Sequence, residues 1–169
     1  MHLIAGRFKR FKIETSVNLQ YRPTKSIVRK SIFDFLSPFK FKNTLDLFSG
    51  SGIFGFEAAS RGASSITFVE NNKNIFRYLK KNADRLKGPD YNFFRLDVFK
   101  YLKKSNSFDL IFADPPYSKY DLLELTEVVL QLLNTNGKFL LECEKKQPPF
   151  LGANVKDYGR TRILYWENT

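Results

Sequence analysis

The chain has one cysteine, Cys143, and one histidine, His2, in 169 residues. A single thiol excludes an internal disulfide framework and any cysteine cluster for zinc. A single histidine at the extreme N-terminus leaves no histidine triad and no multi-histidine metal site, so no metal is expected. Long apolar runs are also missing: nothing approaches the roughly 20 residues that span a bilayer. The opening "MHLIAGRFKR" lacks the apolar core of a secretory signal. These absences predict a cytoplasmic protein with no membrane partner. What remains is globular in character, 43% apolar with mixed charges, and long enough for one domain with a real core.

Acidic residues are scarce relative to basic ones, 17 against 28, for a net charge of +11. The excess is unevenly placed. Residues 1–42 hold ten Lys/Arg against only Glu14 and Asp34, whereas residues 43–169 are close to balanced, 18 against 15. A lysine-rich composition would scatter cations along the whole chain; a concentration at one end points to a polyanion partner. "LIAG" and "FKIET" are strand-like pieces around the turn "RFKR", so a hairpin is expected there. Arg7, Lys9, Arg10 and Lys12 are the candidates for contacting nucleic-acid phosphates.

From Thr24 to Ser37, apolar residues fall at 27/28, 31/32 and 35/36, the spacing of one helical face. Thr24 suits the N-cap, and Pro38 marks the stop. Thereafter strands and helices alternate. Strands are predicted at 44–48, 65–70, 91–97, 108–113 and 138–143, with two more around Gly159. Helices are predicted after Gly52 as far as Gly62, over 72–87 and over 121–133. This alternation implies an α/β fold, a mostly parallel sheet with helices on both faces. Such sheets bind ligands at the carboxyl ends of their strands.

The first chemical motif lies at such an end. In "DLFSGSGIFG", Gly50, Gly52 and Gly55 spell G-x-G-x-x-G between a strand and a helix, the context in which that pattern signals a nucleotide-like ligand. Glu70, about twenty residues on, can accept both hydroxyls of a ribose. NAD and S-adenosylmethionine both carry one. Asp46 discriminates between them, because a carboxylate inside the first strand would repel a pyrophosphate but favour a cationic amino-acid end. Asp97, ending the third strand, could accept from an adenine amine or could simply cap a helix.

The second motif is "FADPPYSKY", 112–120. An exocyclic amine on a base is a poor nucleophile, its lone pair being delocalised into the ring. Asp114 and the carbonyl of Pro115 can accept its hydrogens and hold the nitrogen toward a methyl donor. The two prolines fix both acceptors in advance, and Tyr117 can stack on a base swung out of its helix.

Together these stretches resemble the N-methyltransferases that modify exocyclic amines, most closely the RsmD family, which methylates guanine-N2 in small-subunit (16S) ribosomal RNA. The likeness runs through "RPTKSIVRKSIFDFL", "LDLFSGSGIFGFEAASRGASSITFVE" and "FDLIFADPPY". It implies a class I, Rossmann-like methyltransferase domain over 43–169, with a seven-stranded sheet whose final strand is reversed, behind a basic, RNA-contacting extension over 1–42. It implies S-adenosylmethionine as cofactor, held by Asp46, Phe48, Gly50, Ser51, Gly52, Glu70, Asn71 and Asp97, with Thr24 nearby. It implies catalysis by Asp114, Pro115 and Tyr117, and places Arg22 beside the substrate RNA. The implied partner is small-subunit ribosomal RNA, as a ribonucleoprotein assembly intermediate met by a monomeric enzyme. Three departures stand out: Lys30 replaces a usual glutamate, Ser49 a usual alanine, and the tail after Phe150 is short. An adenine-N6 methyltransferase fits D-P-P-Y equally, but this chain has no room for a large target-recognition region. A catalytically silent RNA-binding assembly protein would have no use for an intact Asp114.

Overall fold

Apolar runs of strand length and runs of helical period each become an element in the computed structural model, which describes residues 1–15, 26–104, 106–116 and 119–169. In chain order these are α1 (Ser26–Phe35), β1 (Asn43–Leu47), α2 (Ile53–Ser60), β2 (Ser65–Val69), α3 (Lys73–Arg85), β3 (Asp90–Phe94), α4 (Val98–Leu102), β4 (Phe108–Ala113), α5 (Leu122–Leu130), β5 (Leu133–Glu144), β6 (Asn154–Tyr158) and β7 (Thr161–Glu167). The strands form one seven-stranded sheet in the order β3-β2-β1-β4-β5-β7-β6. β1 to β5 are mutually parallel, and β7 runs antiparallel between β5 and β6. The expected mostly parallel sheet with a reversed final strand is therefore present. Strand order reverses between β1 and β4, which opens a crevice at their carboxyl ends. Among the described residues no helix is long and apolar enough to cross a membrane.

The sheet separates two apolar cores, because successive strand residues face opposite sides. Phe68, Leu110, Phe112 and Leu140 enter one; Leu45, Leu47, Ile111, Phe139 and Leu141 enter the other. Every residue of α2 is buried. A helix apolar all round needs cover on the side away from the sheet. Leu3, Ile13 and the α1 residues Val28, Ile32 and Phe33 share a core with its Phe54 and Phe56. The charge boundary near residue 42 is thus no gap in the packing.

Glu57, in mid-α2 and fully buried, fastens this cover. Its carboxylate accepts from the Ile4 and Ala5 backbone N–H groups at 2.7 and 3.1 Å. Arg61 lies 2.9 Å away and buried Arg29 3.9 Å. Residues 1–13 fold back as expected, with an antiparallel bridge between His2 and Lys12. Ser60 then holds the turn, donating to the Ala5 carbonyl and accepting from the Phe8 N–H.

Three boundaries differ from the sequence expectation. The third strand ends at Phe94 rather than Asp97, because Asp97 accepts from the N–H groups of Phe99 and Lys100 and so starts α4, a five-residue helix that the apolar pattern alone does not announce. The fifth strand is longer than 138–143, since Leu133 already pairs with Phe108 across an irregularity in the ladder. The helix predicted over 121–133 stops at Leu130 for the same reason. Thr24, the expected cap of α1, lies outside the described residues.

Candidate active site

β1 ends in a turn that only a special backbone can make. Phe48, Gly50 and Gly52 all have positive φ, at 54°, 52° and 72°. Gly52 is the N-cap of α2. A Cβ on Gly52 would lie 2.5 Å from Leu79, and one on Gly55 would lie 2.4 Å from Phe68. These two glycines therefore serve backbone conformation and helix-on-sheet packing, a role distinct from letting a ligand approach. Ser49 stitches the turn to β2: its hydroxyl donates to the Asp46 carbonyl and accepts from the Val69 N–H. The departure noted at this position thus has a structural use.

Two carboxylates converge on the turn. Glu70, just past β2, accepts from the Gly50 N–H at 2.9 Å and the Asn72 N–H at 2.7 Å. Asp46 is buried within β1 and accepts from the Gly55 N–H at 3.0 Å. Burial pushes the Asp46 carboxyl well above the usual carboxylate range, Gly55 opposes this, and the charge of Glu70 raises it further. A carboxylate in such a place stabilises an incoming cation and repels an anion. Asp46 also takes an N–H near the start of α2 that a phosphate would otherwise use.

Asp97 sits at the β3 end with one oxygen committed to the α4 cap. The Tyr120 hydroxyl lies near it: burial first, then the negative charge of Asp97, pushes that phenol up. The Tyr120 ring meets Phe48 edge-on at 4.7 Å and stacks near Phe99 at 6.2 Å. An aromatic wall thus faces the crevice. Phe48 was foreseen for this region; Tyr120 and Phe99 were not, although Tyr120 lies within the same nine-residue motif as Asp114.

Asp114 is the first residue past β4. Ala113 pairs with Leu47 on one side and Leu141 on the other, so Asp114 stands beside Phe48 and the glycine turn. Pro115 is buried and Pro116 exposed. Both prolines line a cleft of about 160 Å³ together with Tyr120, Glu142 and Glu144. The structure therefore brings Asp46, Phe48, Gly50, Ser51, Gly52, Glu70, Asn71, Asp97, Asp114 and Pro115 to one end of the sheet. Tyr117, Thr24 and Arg22 lie outside the described residues.

The basic turn goes elsewhere. Arg7 packs over Phe8 and against Gly88, just before β3 begins, and its N–H bonds the Ser60 carbonyl at the far end of α2. That is the amino end of the sheet, separated from the end that carries Asp114 by at least the length of a five-residue strand, about 16 Å at roughly 3.3 Å per residue. Lys9, Arg10 and Lys12 are exposed.

A family model described as Conserved hypothetical protein 95 matches residues 1–166. The ribosomal RNA small subunit methyltransferase D of Buchnera aphidicola (subsp. Baizongia pistaciae) is 38% identical over 150 residues, covering 85% of this chain and 76% of its own. The protein of the same name from Haemophilus influenzae is 34% identical over 157 residues, covering 88% and 81%. Among solved structures, a hypothetical protein of Thermus thermophilus superimposes with a TM-score of 0.86 at 28% identity, over 98% of both chains.

Proposed function

Because this chain belongs to the RsmD family, the ribosomal RNA small-subunit methyltransferases D, we infer that it methylates small-subunit ribosomal RNA from S-adenosylmethionine, at the exocyclic N2 amine of a guanine. Its fold is the class I, Rossmann-like methyltransferase fold. The observation that carries the reading is the adjacency of two strand ends: the glycine turn after β1 and Asp114-Pro115-Pro116 after β4, joined by the Leu47–Ala113 pair. One end suits a methyl donor, the other an amine.

The residues fit that cofactor. Asp46 favours a cationic amino-acid end, Glu70 offers carboxylate lone pairs to ribose hydroxyls, and Asp97 with the aromatic wall suits an adenine. When bound, S-adenosylmethionine supplies an electrophilic methyl group. The protein does the rest by placement: Asp114 and the Pro115 carbonyl accept the amine hydrogens and aim the nitrogen lone pair, and the prolines hold both acceptors still. Asp114 also stands ready to take up a proton once the nitrogen turns acidic.

Glu70→Ala is expected to weaken S-adenosylmethionine binding by about 1–3 kcal/mol, the scale of hydrogen bonds to a charged group. Calorimetry checks this, and an unchanged dissociation constant would show that the ribose is held elsewhere.

The substrate is a folded RNA surface within an assembling ribonucleoprotein, because structured RNA is recognised through its shape and through bases presented unstacked from loops and bulges. The enzyme acts as a monomer in the cytoplasm. Arg7, Lys9, Arg10 and Lys12 contact phosphates about one strand length away from the reacting base. Replacing them together should lower the log–log salt slope of RNA binding by about 0.7–0.9 per lost contact, with cofactor affinity unchanged. A slope equal to wild type in filter binding would return them to an ordinary solvated turn.

The decisive experiment for the reaction incubates the enzyme with labelled S-adenosylmethionine and small subunits from a methylation-deficient strain. Nucleoside analysis should find the label in N2-methylguanosine. Label in N6-methyladenosine would overturn the choice of base.

A further inference from the structure

One buried acid at the site has no part in the chemistry so far. Ala113 pairs with Leu141, so Asp114, just past the end of β4, and Glu142, two residues before the end of β5 and still paired with Ile163, stand next to each other in register. Paired strands lie about 4.8 Å apart. Glu142 is only 6% exposed, yet it lines the same cleft as Pro115 and Pro116. Its neighbours Leu141 and Cys143 point into the second core, so the pleat carries Glu142 to the other face, that of Leu140. Glu144, the next acid on that face, is more exposed and lies two residues further along β5 from Asp114's level, so Glu142 is the carboxylate in register with Asp114.

Two adjacent acceptors match one base edge in particular. Guanine presents N2–H and N1–H next to each other, both donors. Adenine and cytosine present, beside their amine, a bare ring nitrogen whose lone pair a carboxylate repels. Resting on the reading of this site as an amine methyltransferase, we propose that Glu142 is the guanine-specificity residue: it accepts the hydrogen bond from N1–H while Asp114 and Pro115 hold N2. A site built to accept a base N–H rejects the analogue that lacks it, because the buried acceptor is then left facing a lone pair.

The test uses small-subunit RNA in which the target guanine is replaced by 2-aminopurine, which keeps the 2-amine but has no hydrogen on N1. Wild-type enzyme should methylate it roughly 10- to 100-fold more slowly than guanine, the range for a hydrogen bond to a charged group. Glu142→Gln can donate its amide N–H to the bare N1, so its preference should fall to within about 3-fold, chiefly by losing rate on guanine. A merely structural role would slow both substrates by the same factor and leave the ratio intact. Thermal melting and S-adenosylmethionine affinity check that the variant is folded; if it is not, the wild-type ratio decides alone. Equal wild-type rates on the two bases, or an unchanged ratio in folded Glu142→Gln, would overturn the assignment of Glu142. A native product other than N2-methylguanosine would overturn the reading of the site, and this inference with it.

Discussion

Asp114→Ala should lower methyl transfer by at least about 10²–10³-fold, the cost of removing one preorganised electrostatic partner from a reacting group, while S-adenosylmethionine binds within a few-fold of wild type. The separation follows from which strand ends do what. Donor-side groups come from the β1 turn and the β2 end: Glu70 bonds Gly50 and Asn72, and Asp46 bonds Gly55. None of these bonds involves Asp114. Asp114→Asn should retain more activity than the alanine variant, since an amide carbonyl still accepts one hydrogen. Calorimetry paired with single-turnover transfer reads both quantities. A fully active Asp114→Ala would remove the acid from the mechanism, and lost cofactor binding would move it to the donor side.

Much of this site can be read in the sequence because its parts are local. The glycine turn, Glu70 and D-P-P each lie immediately after a strand-like run, and the alternating pattern already sends such positions to one end of a parallel sheet. What cannot be read is whatever depends on register between distant segments. Glu142 becomes a neighbour of Asp114 only through the β4–β5 ladder. Phe99 joins the wall because α4 starts at Asp97. The glycines mislead in a different way. Their spacing suggests ligand approach, whereas at Gly52 and Gly55 the contacts a Cβ would make are with Leu79 and Phe68. Ligand binding and close packing ask for the same residue, so the pattern alone does not separate them.

The basic turn shows the same limit at longer range. Composition locates the positive charge within residues 1–42 but says nothing of which sheet end receives it. The answer lies in side chains that no motif marks: Ser60 fixes residues 5–8, and Asn82 exchanges hydrogen bonds with the Glu14 backbone while Lys81 and Arg85 pair with its carboxylate. A substrate touching both Asp114 and Arg10 must span the depth of the sheet, which a folded RNA does and a short single strand does less readily.

The clamp at the centre of that arrangement yields the largest expected effect on stability. Glu57→Ala should destabilise the protein by about 3–5 kcal/mol, the scale for removing one partner of a buried ion pair. Glu57 is fully buried, Arg29 nearly so, and loss of the carboxylate also strands the Ile4 and Ala5 N–H groups. At roughly 2–4 °C per kcal/mol for a chain of this size, the melting temperature should fall by about 6–20 °C. Glu57→Gln keeps one acceptor oxygen and should lose less. Urea unfolding of both variants, read beside amide exchange at Ile4 and Ala5, separates a clamp from a bystander: exchange there should quicken before the rest of α2 opens. An alanine variant within about 1 kcal/mol of wild type would mean that apolar packing of Leu3 and Ile13 alone holds the N-terminal cover. If the clamp is real, the same variant under conditions where it stays folded should bind RNA with a reduced salt slope, because Arg7, Lys9 and Arg10 lose their anchor. Its affinity for S-adenosylmethionine should change little, since none of the groups holding the β1 turn touches Glu57.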